Sequence, residues 1–247
     1  MSFHDHFSAL ANEYAKYRPQ YPDTLFAYLA DQVATHDLAW DCATGNGQAA
    51  SRLAGYFRQV IATEPSAAQI SHAPAIKNVE YRVETAENSS LLDESVDLIT
   101  VAQAMHWFDF DAFGKEATRV LKPGGVLAAW CYEGIRGVQN VEAVTRHFYQ
   151  DIIADYWPPE RRWVDAGYEG IPMPYPALPV EKFELTAAWS LEALMGYLYS
   201  LSAVKQYREQ TGEDPVALIR SDLQKAWGEQ EIQTMRWPLS LKLCRKE

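Results

Sequence analysis

Between Asp37 and Ala54 the chain reads DLAWDCATGNGQAASRLA. A short apolar run, Leu38 to Trp40, meets an acid at Asp41. Five small residues, Ala43, Thr44, Gly45, Asn46 and Gly47, come next, and then an amphipathic run begins. This order predicts a strand that stops at an open turn and feeds directly into a helix. Glycines permit backbone angles that a Cβ forbids and let the main chain touch a ligand. A strand end next to a helix N-terminus also offers free N–H groups to a polar ligand.

The flanking sequence repeats the alternation. TLFAYLADQVA (Thr24 to Ala34) spaces Leu25, Leu29 and Val33 four apart, predicting a helix with Asp23 as its N-cap. LAW before Asp41 and QVIAT before Glu64 read as short buried strands. VEYRV sets Val79, Tyr81 and Val83 on one face of a strand, and VDLITVAQA (Val96 to Ala104) reads as a strand covered on both sides. DFDAFGKEATRVL returns to helical spacing, KPGG stops it, and VLAAW is the next strand. Strand and helix alternating in this way predict an α/β fold, an open, mainly parallel sheet with helices on both faces.

The second half differs. VEAVTRHFYQDII reads as a helix with Val141, Val144, Phe148 and Ile152 on one side. From Trp157 to Pro179 the chain holds Pro158, Pro159, Pro172, Pro174, Pro176 and Pro179, six of its 13 prolines, which excludes helix and central strand. Long irregular segments in compact proteins are commonly lids or binding loops. Capped helices follow in SLEALMGYLYSLS and DPVALIRSDLQKAWG, and WPLSLKLC alternates Leu239, Leu241 and Leu243 as a closing strand.

Composition narrows the partners. A net charge of -11 argues against a phosphate-backbone ligand, whose binding needs Lys and Arg. No apolar run is long enough to span a bilayer, and MSFHDHFSALANEY lacks the basic and apolar regions of a secretion signal. Cys42, Cys131 and Cys244, with no CxxC pair, fit a reducing compartment, so a cytoplasmic location is expected. The six histidines show no metal-ligand spacing, and no metal is expected. Cys42 lacks a cationic neighbour in sequence and reads as a small core residue.

Glu64 follows Gly47 by 17 residues, at the end of the next strand. A carboxylate there can accept both hydroxyls of a ribose, so the turn and Glu64 together predict an adenosine-containing ligand. Four stretches then fall in order: DCATGNGQAASRLA, VIATEPS, VETAENSSLLDESVDLITVAQAMHWFD and RVLKPGGVLAAW. This series resembles the successive motifs of class I S-adenosylmethionine (SAM)-dependent methyltransferases. It is most similar to the type 11 small-molecule group, which includes trans-aconitate methyltransferases. YAKYRPQYP, from Tyr14 to Pro22, is similar to that group's N-terminal signature.

The resemblance implies a Rossmann-like seven-stranded sheet with an antiparallel C-terminal strand. It implies one domain over 1–247: a cap over SAM (1–36), a SAM-binding core (37–131), acceptor-side helices and lid (132–230) and a final strand (231–247). It further implies that Asp41, Thr44, Gly45 and Gly47 surround the methionine part of SAM, and that Glu64 holds the ribose. Pro65, Ala86 and Glu87 would lie by the adenine, and Gln103 and His106 near the sulfonium. Arg18 would pair with the SAM carboxylate, with Tyr14 and Tyr21 closing over it. Two positions depart from the family pattern: Ala43 replaces the usual first glycine, and Thr85 replaces an acid expected to meet the adenine amino group.

The methyl acceptor is expected to be a small organic acid or similarly polar metabolite, held by Trp107, Arg161, Arg162 and Tyr168. Arginine suits bidentate capture of a carboxylate. His106 is the one candidate for moving a proton. Two other readings stay open on the sequence: a nicotinamide-dependent oxidoreductase on a similar sheet, and a SAM-binding regulatory protein without turnover. Oligomeric state is not legible.

Overall fold

The computed structural model describes residues 17–247. Among them lie seven strands: β1 Leu38–Cys42, β2 Gln59–Thr63, β3 Val79–Arg82, β4 Val96–Ala102, β5 Leu121–Tyr132, β6 Phe183–Trp189 and β7 Gln233–Arg245. They form one sheet in the order β3-β2-β1-β4-β5-β7-β6. β1 to β5 run parallel to one another, whereas β7 runs antiparallel to both β5 and β6. This is the Rossmann-like sheet with an antiparallel closing strand.

The helices are α1 Asp23–Asp31, α2 Gln48–Leu53, α3 Ala67–Ile70, α4 Phe110–Val120, α5 Gln139–His147, α6 Arg161–Asp165, α7 Leu191–Tyr199, α8 Ser202–Thr211 and α9 Pro215–Trp227. Strand alternation divides the core between the two faces of the sheet. In β5, Val126, Ala128 and Trp130 pack with Leu25 of α1, Leu53 of α2, Leu198 of α7 and Leu223 of α9. Leu127, Ala129 and Cys131 face the other way, onto Phe113, Ala117 and Val120 of α4. Burial of each such large side chain contributes about 1.5–3 kcal/mol, so both layers are needed to hold the sheet.

Several local expectations are corrected. Asp23 is the first residue of α1 and not its cap; Pro22 takes the cap position and no side chain bonds there. The helix after β5 ends at His147 and widens into a π turn over Phe148–Ile152. Lys122 to Gly125 belong to β5, at a register shift against β4. Val83 lies beyond β3 and is largely exposed. The proline-rich segment contains α6, which begins just after Pro158 and Pro159, where missing N–H groups cost a helix nothing. Ser190 and Asp214 do cap α7 and α9 through their side chains.

Candidate active site

The strand order reverses between β1 and β4, and ligands in open α/β sheets bind beyond the strand C-termini at such a point. Here the backbone leaves its usual range. Ala43, just after β1, has φ +55°, and Gln103, just after β4, has φ +57°. Left-handed non-glycine residues are uncommon and carry strain that the surroundings must hold. Gln103 is held at both ends, its N–H donating to Trp130 O at 2.8 Å and its Oε1 accepting from Tyr132 N–H at 2.9 Å. Ala43 is followed by Thr44, whose N–H donates to Thr63 O at 2.9 Å.

Asp41 fixes the turn from beneath and is fully buried. Its Oδ2 accepts from Thr44 Oγ1 at 2.5 Å and Ala50 N–H at 3.0 Å, and its Oδ1 accepts from Thr100 Oγ1 at 2.7 Å. Both oxygens are thus engaged by the turn, α2 and β4. Burial pushes the carboxyl up to about 6, against the pull of these three donors.

Glu64 closes the crevice from β2 and is 5% exposed. Its Oε2 accepts from Gly45 N–H and its Oε1 from Ser66 N–H, each at 3.1 Å. Gly45 has φ +59°, and among the described residues a Cβ there would meet only Gln69 Oε1, at 3.6 Å. The turn is therefore open on that side. Gly47, at φ +82°, is closed instead, because a Cβ would fall 2.6 Å from Tyr81 Oη. Pro65 is half-buried after β2, Ala86 is buried, and Glu87 accepts from Asp109 N–H at 3.2 Å. Thr85 is exposed and bridges to Asn88.

Beyond the C-terminal ends of β4 and β5 opens a cavity in contact with bulk solvent. Gln103, His106, Trp107, Arg18 and Arg161 all line it. His106 is 8% exposed; its Nδ1 lies 3.0 Å from Tyr168 Oη and its ring packs on Trp107. Burial first, and then the charge of Arg161, push its pKa down to about 3. Arg18 donates to Tyr132 Oη at 2.7 Å and Ser200 O at 3.3 Å and lies over the Tyr197 ring. Arg161 donates from Nε to Asp165 at 2.7 Å and stacks over Trp157, 4.3 Å from the ring centroid.

Not every expected residue meets the cavity. Arg162 is exposed over Trp163 and absent from the lining. Tyr168 is fully buried behind His106. Tyr14 lies outside the described residues. Sequence reasoning passed over Tyr132, Tyr149 and Tyr197, which supply much of the wall. Only Tyr132 carried a signal, as the last residue of a strand whose neighbours end at the crevice. Among the described residues no group of three or more His, Cys, Asp or Glu side chains could hold a metal ion, and no helix is long and apolar enough to cross a membrane.

Residues 40–129 match the methyltransferase domain model of the type 11 group. A Dictyostelium discoideum protein named as a methyltransferase is 35% identical over 99% of this chain and 96% of its own length. The chain belongs to the class I SAM-dependent methyltransferases. The solved structure of a protein from Anaeromyxobacter dehalogenans, described as a type II methyltransferase, is 41% identical and superposes with a TM-score of 0.87, covering 92% of this chain and 97% of that one. A Saccharomyces cerevisiae protein named as SAM-dependent is 28% identical over 58% of this chain and 52% of its own. The nicotinamide reading of the sheet falls with this result, and the methyltransferase uses SAM as its cofactor. Its residues fit that cofactor, since the open face of Gly45 and the buried, N–H-anchored Glu64 lie side by side.

Proposed function

We propose that this methyltransferase esterifies a small organic acid in the cavity lined by Arg18 and Arg161. SAM supplies an activated methyl group on a sulfonium. In this reading Glu64 holds the ribose, and Asp41 shapes the turn of Thr44, Gly45 and Gly47 around the methionine part. Pro65, Ala86 and Glu87 flank the adenine. Arg18 and Tyr21 close the methionine-carboxylate end, and Gln103 and His106 stand between cofactor and acceptor.

One observation carries the choice of acceptor. The Arg161 side chain gives its Nε–H to Asp165 and makes no other hydrogen bond among the described residues, so its two Nη groups remain for an anion. A carboxylate matches that planar fork. It also attacks an alkylating centre without first losing a proton, so alignment and exclusion of water suffice. Trp157, Pro158 and Val164 line the cavity from the proline-rich segment, which supports a covering role for it. The acidic net charge weighs against nucleic acid, and three free buried cysteines support a cytoplasmic setting.

The test is a metabolite screen with methyl-labelled SAM. The expected product is a base-labile methyl ester of a small acid. Label found only on amines or phenols would overturn the proposal.

A further inference from the structure

Tyr168 and His106 are 62 positions apart in sequence, yet their polar atoms meet in the wall of the cavity. Tyr168 is fully buried, and among the described residues its hydroxyl has one hydrogen-bond partner, His106 Nδ1. A buried hydroxyl proton left without an acceptor is costly, so the phenol donates. Its single proton then has one acceptor in reach, His106 Nδ1 at 3.0 Å. A neutral imidazole that accepts at Nδ1 carries its proton at Nε2. The His106 ring makes no other hydrogen bond among the described residues, and the residue lines the cavity.

We infer that His106 is a fixed Nε2–H donor to the acceptor, and that Tyr168 is the positioning residue that sets this tautomer. The inference rests on the reading that the cavity holds the acceptor, and it deepens it. A donor orients an oxygen that is already ionised; it cannot remove a proton from an alcohol or an ammonium. The site therefore selects acceptors that arrive deprotonated. The charged groups around the ring agree. Arg161, on α6, disfavours a cationic imidazole, and Arg18 lines the same cavity. Glu133, the carboxylate of that lining, is occupied by Ser240 Oγ and by Arg136.

The experiment uses the full chain labelled with ¹⁵N-histidine, in long-range proton–nitrogen spectra recorded at about pH 6 and about pH 8, on either side of the ordinary histidine pKa. The His106 signals are assigned by their loss in His106→Gln. The expected result is a neutral Nε2–H ring at both pH values. An Nδ1–H ring, or an imidazolium at the lower pH, would overturn the inference. Tyr168→Phe, checked for an intact fold by its melting curve, is expected to give mixed tautomers; an unchanged Nε2–H ring would remove Tyr168 from the positioning role. With an acid acceptor in hand, His106→Gln, which keeps an N–H near the Nε2 position, should retain at least tenfold more kcat/KM than His106→Ala. Equal loss in both variants would overturn the donor role. The spectra need no acceptor, so a failed acid screen beside the expected tautomer would sink the substrate reading alone.

Discussion

Glu64 and Gly45 form one unit: the carboxylate of the acid accepts the main-chain N–H of the glycine at 3.1 Å, while Ser66 N–H holds its other oxygen. The residue proposed to read the ribose is therefore oriented by the turn proposed to cradle the methionine part. Glu64→Ala should weaken SAM binding by about 1–3 kcal/mol, the cost of leaving ligand hydroxyls unpaired. Glu64→Gln should be weakened too, because Gly45 and Ser66 donate to different carboxylate oxygens and the amide puts an NH2 against one of those N–H groups. Calorimetry on the folded variants decides it, and wild-type affinity in Glu64→Ala would remove Glu64 from the site.

Gly47 is constrained twice, by φ +82° and by Tyr81 Oη, which lies 2.6 Å from where a Cβ would stand. Gly47→Ala should cost about 1–3 kcal/mol of stability from strain and overlap combined. Adding Tyr81→Phe removes the hydroxyl that collides but leaves the backbone angle. The double variant should recover part of the loss in denaturant unfolding, never all of it. Full additivity of the two single changes would show that no collision exists.

Asp41 sets a pH dependence of unusual sign. Its folded pKa, about 6, lies above the ordinary value of 3.8, so the native state binds the proton more tightly than the unfolded chain. Its contribution is full below about pH 4 and is lost as the pH rises through 6. The shift corresponds to about 3 kcal/mol. Asp97 runs the other way: Lys122 and Thr35 hold its pKa down, so its contribution is lost on acidification. The prediction thus concerns a difference. The stability of wild type relative to Asp41→Asn should fall between pH 4 and pH 7 in chemical denaturation. A flat difference would mean that Asp41 does not titrate there.

What the sequence made legible was local. The strand, turn and helix around Gly45 and the acid at Glu64 lie within one βαβ stretch, where spacing alone carries the geometry. β6 was passed over although FELTAAW alternates Phe183, Leu185, Ala187 and Trp189 with the exposed Glu184, Thr186 and Ala188; it sits at the sheet edge, where only Leu185 is fully buried. α8 escaped because SAVKQYREQT buries only Ala203 and Val204. The partners that give Asp41 and His106 their character, Thr100 and Tyr168, are distant in sequence and could not be paired from spacing. For the same reason Arg161 and Arg162 were indistinguishable as neighbours. Only the turn of α6 separates them.

That separation gives a sharp test of the acceptor pocket. Arg161 lines the cavity, stacked over Trp157, whereas Arg162 is exposed over Trp163 and faces away from the lining. Arg161→Ala should raise the acceptor KM by about ten- to a hundredfold, the loss of hydrogen bonds to a charged group, with SAM affinity intact. Arg161→Lys should recover little, because an ammonium cannot present the planar fork. Arg162→Ala should stay within about 0.5 kcal/mol of wild type in stability and in acceptor KM, as exposed substitutions do. Steady-state kinetics on the three variants with one identified acid suffice. If Arg162→Ala raises KM as much as Arg161→Ala, the acceptor is not held from the inner face of α6, and the cavity between Arg18 and Arg161 is not its pocket.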